Sequence, residues 1–196
     1  VILPGSKHTS SDLAWLRTQG LDAAIAAHAG RGGAVLGICG GLQMLGEALI
    51  DMYGIDGNGP GLGLLPLVTV FEEAKTVQHR QTQFGALTVA WEALSGVAVQ
   101  GYEIHHGQTA QHPAMAAGGD VATEAMQGGL AWQNARGNVL GLYVHGMFED
   151  PAVLQALFGA QVPTLDAVLD GLAAYVEQHF GADTLLQLLE PKQAPV

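Results

Sequence analysis

Cys39, the only cysteine of the chain, stands in the run Gly37-Ile38-Cys39-Gly40-Gly41. The spacing is that of a nucleophile elbow, G-x-nucleophile-x-G, in which a strand turns sharply into a helix with the reactive atom at the tip. Such a strained turn leaves no room for side chains two positions away on either side, and Gly37 and Gly41 supply none. The first N–H groups of the following helix favour a thiolate, and they can stabilise the oxyanion formed when the sulfur attacks a carbonyl. A lone cysteine is also commonly a small buried hydrophobe without chemistry. The flanking glycines favour the reactive reading.

A thiol nucleophile needs a base, and the chain has eight histidines. His145 ends the apolar run VLGLYV and precedes Gly146, so the pattern predicts it at the C-terminal edge of a strand. That is the edge at which α/β folds place their sites, and Cys39 falls there too. His105 and His106, in YEIHHG, are the competitors. Neighbours on a strand point to opposite faces, so the two cannot share a metal ion, and no C-x-x-C or H-x-x-x-H pairing accompanies them. No metal site is expected. His8, His79 and His112 read as loop residues, His28 and His179 as residues on helices.

The elements that must position these groups read as apolar runs alternating with helical patterns, the signature of an α/β fold with a mainly parallel sheet flanked by helices. VIL (1–3) is a short buried strand, Thr9 or Ser10 a helix cap, and the spacing of Leu13, Leu16, Leu21, Ala24 and Ile25 predicts one amphipathic helix over 11–29. AVLGI (34–38) is the strand entering the elbow, with a helix over 40–50 after it. Residues 52–66, MYGIDGNGPGLGLLP, form a loop by composition. Its GNGPGLG stretch neither follows a clear strand nor opens a helix, so it reads as a connection and not as a phosphate cradle. LPLVTVF, ALTVAW, VAVQGYEI and NVLGLYVHG read as strands; helices are predicted over 151–159 and 164–189, with a frayed tail over 191–196.

With 196 residues, 48% of them hydrophobic, the chain suits one domain with a sizeable core. Its formal charge of −11, from 7 basic and 18 acidic side chains, argues against nucleic acid as a partner. No apolar run reaches the roughly 18 to 20 residues of a spanning helix, so no membrane is expected either. A single cysteine forms no internal disulfide, which agrees with the reducing environment of a cytoplasmic protein. None of Lys7, Lys75 and Lys192 follows a glycine, so the chain holds no G-x-x-x-x-G-K-[ST] nucleotide loop. It opens directly on an apolar strand without a methionine, which reads as a fragment.

The combination LPGSK…DLAWL, GICGGLQMLG, GYEIHHG and LYVHGMF, in this order and over nearly the whole chain, resembles the glutamine amidotransferase domains of the cobyric acid synthase family. G-x-C-x-G-x-Q alone marks only the class I glutaminases; LPGSK together with YEIHHG narrows the likeness. The resemblance implies a flavodoxin-like class I glutamine amidotransferase fold truncated at its N-terminus, with residues 1–196 as the C-terminal domain of a longer enzyme. It implies glutamine as substrate and no cofactor in this domain. A preceding synthetase domain would use ATP and Mg²⁺ to activate adenosylcobyrinic acid a,c-diamide and would hold most of that corrinoid. Ammonia from this domain would then complete adenosylcobyric acid in cobalamin biosynthesis.

By the same resemblance Cys39 is the nucleophile that carries the glutamyl thioester and His145 its base. The Gly40 N–H and one from the Gly5-Ser6 turn hold the oxyanion, Gln43 contacts the substrate, and the segment from Tyr102 to Gly107, with Glu103 and His105, lines the pocket. Two positions depart from the pattern. Met147 stands where triad enzymes carry the acid of H-x-E, and Leu42 stands where an aromatic is expected. Glu149 and Glu103 are the carboxylates near enough in sequence to orient His145, and the expectation is a dyad in which neither is essential. Rival readings are an amidotransferase for another corrinoid or a cell-wall precursor, a G-x-C-x-G hydrolase that ignores glutamine, and an interaction domain with an inert thiol.

Overall fold

The structure is a computed structural model that describes residues 1–159, 163–181 and 184. It opens with β1 (Ile2–Leu3), α1 (Thr9–Thr18), α2 (Leu21–Gly30), β2 (Val35–Ile38) and α3 (Gly40–Leu45). Then come β3 (Ala48–Asp51), β4 (Gly59–Pro60), the long β5 (Leu67–Gln83), β6 (Ala98–Gln111) and α4 (Pro113–Ala117). β7 (Thr123–Met126), β8 (Ala131–Gln133), β9 (Val139–Leu142) and β10 (Val144–His145) lead to α5 (Pro151–Phe158) and α6 (Leu165–His179).

Among the described residues the strands form two five-stranded sheets, ordered β1-β2-β9-β8-β7 and β10-β6-β5-β3-β4. In the first, β1, β2 and β9 are parallel while β8 and β7 run antiparallel. In the second, only β3 and β5 are parallel. The sheets are thus mixed where the alternation predicts a mainly parallel one. The difference comes from β5 and β6, adjacent in sequence and paired antiparallel, which need no crossover helix. The parallel trio remains the part that carries Cys39.

Several boundaries shift for local reasons. The helix predicted over 11–29 is two helices, because Gly20 adopts φ +68° between them. The helix predicted over 40–50 stops at Leu45; the apolar run after Gly46 joins β5 as β3, burying Leu49. ALTVAW is not a strand: residues Val89–Leu94 form a 3₁₀ turn, entered with Val89 at φ +54°. β6 runs on through YEIHHG to Gln111, and His79 lies on β5 instead of in a loop. His112, also predicted in a loop, caps α4, its ring accepting from the N–H of Ala114. The predicted helix 164–189 is present as α6; from 182 on, all but residue 184 lies outside the described residues, as does the tail.

NVLGLYVHG is not one strand. It breaks at Tyr143, where the chain leaves the first sheet and enters the second as β10, with His145 opposite Tyr102 of β6. The core runs beneath both sheets and includes Leu36, Leu42, Leu45, Leu140 and Leu142, all essentially inaccessible to water. Among the described residues no helix is long and apolar enough to cross a membrane.

Candidate active site

β2 delivers the chain into the elbow, and Cys39 sits at its tip with φ +53° and ψ −109°. A non-glycine residue in such a conformation stores backbone strain of roughly 1 to 3 kcal/mol, which the surroundings must hold in place. They do so tightly. A Cβ on Gly37 would fall 2.6 Å from the carbonyl oxygen of Gly41, and one on Gly41 would run into the carbonyl oxygen of Leu3. The Cys39 N–H is fixed to the carbonyl of Leu142 at 2.8 Å, which ties the elbow to the end of β9.

The chain continues from β9 through Tyr143 to His145, so the Cys39 thiol and the histidine converge from neighbouring strand ends. Gly5 lies between them: a Cβ built there would meet His145 Cε1 at 3.5 Å and Cys39 Cβ at 3.8 Å. The His145 Nε2 is buried and has no hydrogen-bond partner among the described residues. Among the described residues no carboxylate bonds this ring. Glu149 is exposed, and the Glu103 carboxylate is held by Arg80 and His105. Met147, where a triad acid would stand, is packed into the apolar core. An unpaired carboxylate there would be costly to bury.

Burial pushes the Cys39 thiol up; the Gly40 N–H directed at the sulfur and the positive charge of Lys75 pull it back down. The resting thiol donates to the carbonyl of Ile104 at 3.3 Å. Burial thus favours the protonated thiol. Ser6 packs face to face with Gly40, its backbone nitrogen 2.8 Å from where a Gly40 Cβ would be. This contact requires glycine at position 40 and sets the Ser6 backbone beside the Gly40 N–H that points at the sulfur.

Cys39 and His145 open into one cavity of about 600 Å³, lined also by Gly5, Ser6, Gln43 and His105. Three residues of the segment expected to line it, Tyr102, Glu103 and Gly107, do not. Tyr102, half exposed, packs at a tilt of 54° against His79, with ring centroids 4.2 Å apart. Glu103 is absent from the lining, its carboxylate accepting from Arg80 and from His105 Nε2 at 2.8 Å. Tyr102 lies on the exposed face of β6, whereas Glu103, on the buried face with His105, is engaged by its bonds to Arg80 and His105. His105 itself is clamped, bonding the carbonyl of Gly107 through Nδ1 at 2.9 Å and stacking on Tyr143 with centroids 3.7 Å apart.

Gln43 is held as firmly. Its Oε1 accepts from Thr9 at 2.9 Å, and its Nε2 donates to the carbonyl of His106 and to the Tyr143 hydroxyl. That hydroxyl continues the chain through Thr109 to Thr69. Burial pushes the Tyr143 phenol up to about 12, so it stays a neutral member of the network. Gln43 thus joins three walls of the cavity, and the substrate contact expected of it competes with bonds it already makes.

Sequence reasoning singles out neither Asp56 nor Lys75 for the cavity, yet both line it. Lys75 arrives through a break in register: Val70 pairs with Gln108 and Lys75 with His106, so residues 71–74 bulge out opposite Gly107 alone. Gly107 permits this with φ +82°, because a Cβ there would meet Val70 and, at 2.8 Å, Phe71 Cα. Asp56 arrives through a folded loop. The Asp51 carboxylate accepts from the N–H groups of Asp56, Gly57 and Tyr53 at 2.7, 2.8 and 3.0 Å. These bonds, that of Asp56 foremost, hold the Asp51 carboxyl down at about 2. Asp56 in turn accepts from the N–H groups of Thr9 and Ser10, capping α1 from a distance. Neither Thr9 nor Ser10 is the cap; α1 begins at Thr9 and its N-cap, His8, makes no side-chain bond.

A deep thiol at a strained elbow, an imidazole beside it whose Nε2 is unpartnered among the described residues, and the Gly40 N–H at the sulfur together suit nucleophilic attack on an acyl carbon. The profile of the CobB/CobQ-like glutamine amidotransferase domain matches residues 1–153. The chain belongs to this family. It is 77% identical over 189 residues to a cobyric acid synthase of a Polaromonas species, a match covering 96% of this chain and 37% of that protein. The cobyric acid synthase of Polaromonas naphthalenivorans is 76% identical, with 96% and 39% covered, and that of Variovorax paradoxus 70% identical, again with 96% and 39%. The chain therefore spans less than two fifths of the length of these relatives. A solved glutamine amidotransferase shares the fold, with a TM-score of 0.53 and 16% identity over 81% of this chain and 78% of that one.

Proposed function

We propose that this domain hydrolyses glutamine at Cys39 and hands the ammonia to an ATP-dependent amidation of a corrinoid. The observation that carries the reading is the single cavity into which the elbow thiol, the His145 ring and the Gly5-Ser6 turn all open. His145 takes the thiol proton as the sulfur adds to the amide carbon of glutamine. The negative oxygen that forms is held by the Gly40 N–H and one from the Gly5-Ser6 turn. The imidazolium returns the proton to the departing nitrogen, ammonia leaves, and a glutamyl thioester remains. Water, deprotonated by His145, then cleaves the thioester to glutamate and restores the thiol. Lys7 and Lys75 supply positive charge in the cavity, which suits the substrate's carboxylate.

The relatives' name supports the larger assignment. Within a cytoplasmic enzyme of greater length, residues 1–196 act as the glutaminase domain, C-terminal to a synthetase domain. That domain binds ATP and Mg²⁺ and holds most of the corrinoid, and the ammonia converts adenosylcobyrinic acid a,c-diamide to adenosylcobyric acid. The test is Cys39→Ala. A methyl in place of a thiol costs little packing, so the variant should fold with an unchanged circular-dichroism spectrum and release no glutamate. Hydrolysis within tenfold of the parent protein would sink the mechanism.

A further inference from the structure

The cavity around Cys39 is lined mainly by neutral and basic groups, Lys7 and Lys75 among them, although the chain as a whole carries a formal charge of −11. Its lining contains one carboxylate, that of Asp56. Among the described residues no cation lies within ion-pair distance of it, since the only ion pairs found there join Glu103 to Arg80 and to His105. Each Asp56 oxygen accepts one backbone N–H of α1, from Thr9 at 2.8 Å and from Ser10 at 2.7 Å. A carboxylate oxygen accepts two bonds, so each retains a free lone pair. The group is also held in place before any ligand arrives, because Asp51 grips the Asp56 N–H at 2.7 Å from below.

We propose that Asp56 recognises the α-ammonium group of the substrate, so that the site selects an α-amino acid amide over a plain carboxamide. The proposal rests on the glutaminase reading above and names what that reading leaves open. Glutamine is a zwitterion at its far end, and a pocket that binds it must offer an anion as well as cations. Asp56 is the anion in the lining. Its two bonds to α1 fix its direction, so binding an ammonium costs it little further ordering. A hydrogen bond to a charged partner is among the stronger ones available in such a site.

The experiment uses the full-length amidotransferase and two substrates, glutamine and glutaramate, which is glutamine without its α-amino group. Glutamate and glutarate formation are measured for the parent protein and for Asp56→Asn. Parent protein should prefer glutamine in kcat/KM by about tenfold to a hundredfold, the worth of one hydrogen bond to a charged group. In Asp56→Asn that preference should collapse toward unity, mainly through a higher KM for glutamine, while the loss of one α1 cap bond lowers both substrates alike and drops out of the ratio. Damage to the α1 cap alone lowers both substrates in parallel and leaves the ratio intact; that result overturns the proposal while the glutaminase reading stands. A parent protein that hydrolyses glutamine no faster than glutaramate overturns it likewise. A parent protein that hydrolyses neither overturns both.

Discussion

At the scale of single residues the site is a thiol that burial holds protonated and an imidazole that no acid among the described residues bonds. His145→Ala should therefore lower kcat for glutamine hydrolysis by about 10²- to 10⁴-fold, the usual worth of a general base. Glu149→Gln, altering an exposed carboxylate, should leave kcat unchanged; a loss comparable to that of His145→Ala would restore a triad. The raised thiol also predicts a pH profile. Alkylation of Cys39 by iodoacetamide should keep rising through the ordinary cysteine range near about 8.5. Lys75→Met, which removes a charge favouring the thiolate, should move that rise to still higher pH. Cys39 and His145 are legible in the sequence because glycines at fixed offsets mark the elbow and a strand end precedes the histidine. Glu103 and Tyr102 mislead because a motif read as a unit hides that Tyr102 lies on the exposed face of β6 and that Glu103 is engaged by Arg80 and His105. Asp56 and Lys75 are silent because each reaches the cavity from a distant segment, one by a loop folded around Asp51 and the other by a bulge.

At the scale of elements, function depends on two irregularities that position side chains. The first is the bulge over residues 71–74 opposite Gly107. Gly107→Ala places a methyl against the backbone of Val70 and Phe71 at a positive φ, and should destabilise the protein by about 1 to 3 kcal/mol or more, read by thermal denaturation. The second is the loop gripped by Asp51. Its carboxyl lies at about 2 in the folded state, below the unfolded value near 3.9, so its contribution is complete above about 4 and is lost as the pH falls toward 2. Melting temperatures measured across that window should fall more steeply for the parent protein than for Asp51→Asn. Parallel slopes would show that the carboxylate does not organise the loop. The mixed sheets escape a reading by pattern because β5 and β6, adjacent in sequence, pair antiparallel along most of their length, whereas the parallel strands β2 and β9 follow from buried apolar runs.

At the scale of the whole molecule, the chain spans less than two fifths of the relatives that it matches, and its sequence holds no nucleotide loop. Supplied with glutamine, Mg²⁺-ATP and adenosylcobyrinic acid a,c-diamide, the isolated chain should yield glutamate and no amidated corrinoid by mass spectrometry. ATP-dependent amidation would place a nucleotide site within these 196 residues. The division of labour, though, matters only if the glutaminase chemistry is real. The most direct measurement is intact-mass analysis after exposure to 6-diazo-5-oxo-L-norleucine, an electrophile shaped like glutamine. One adduct should form, map to Cys39, diminish as glutamine is added and be absent from Cys39→Ala; an unmodified Cys39, or labelling that glutamine does not slow, would contradict the account.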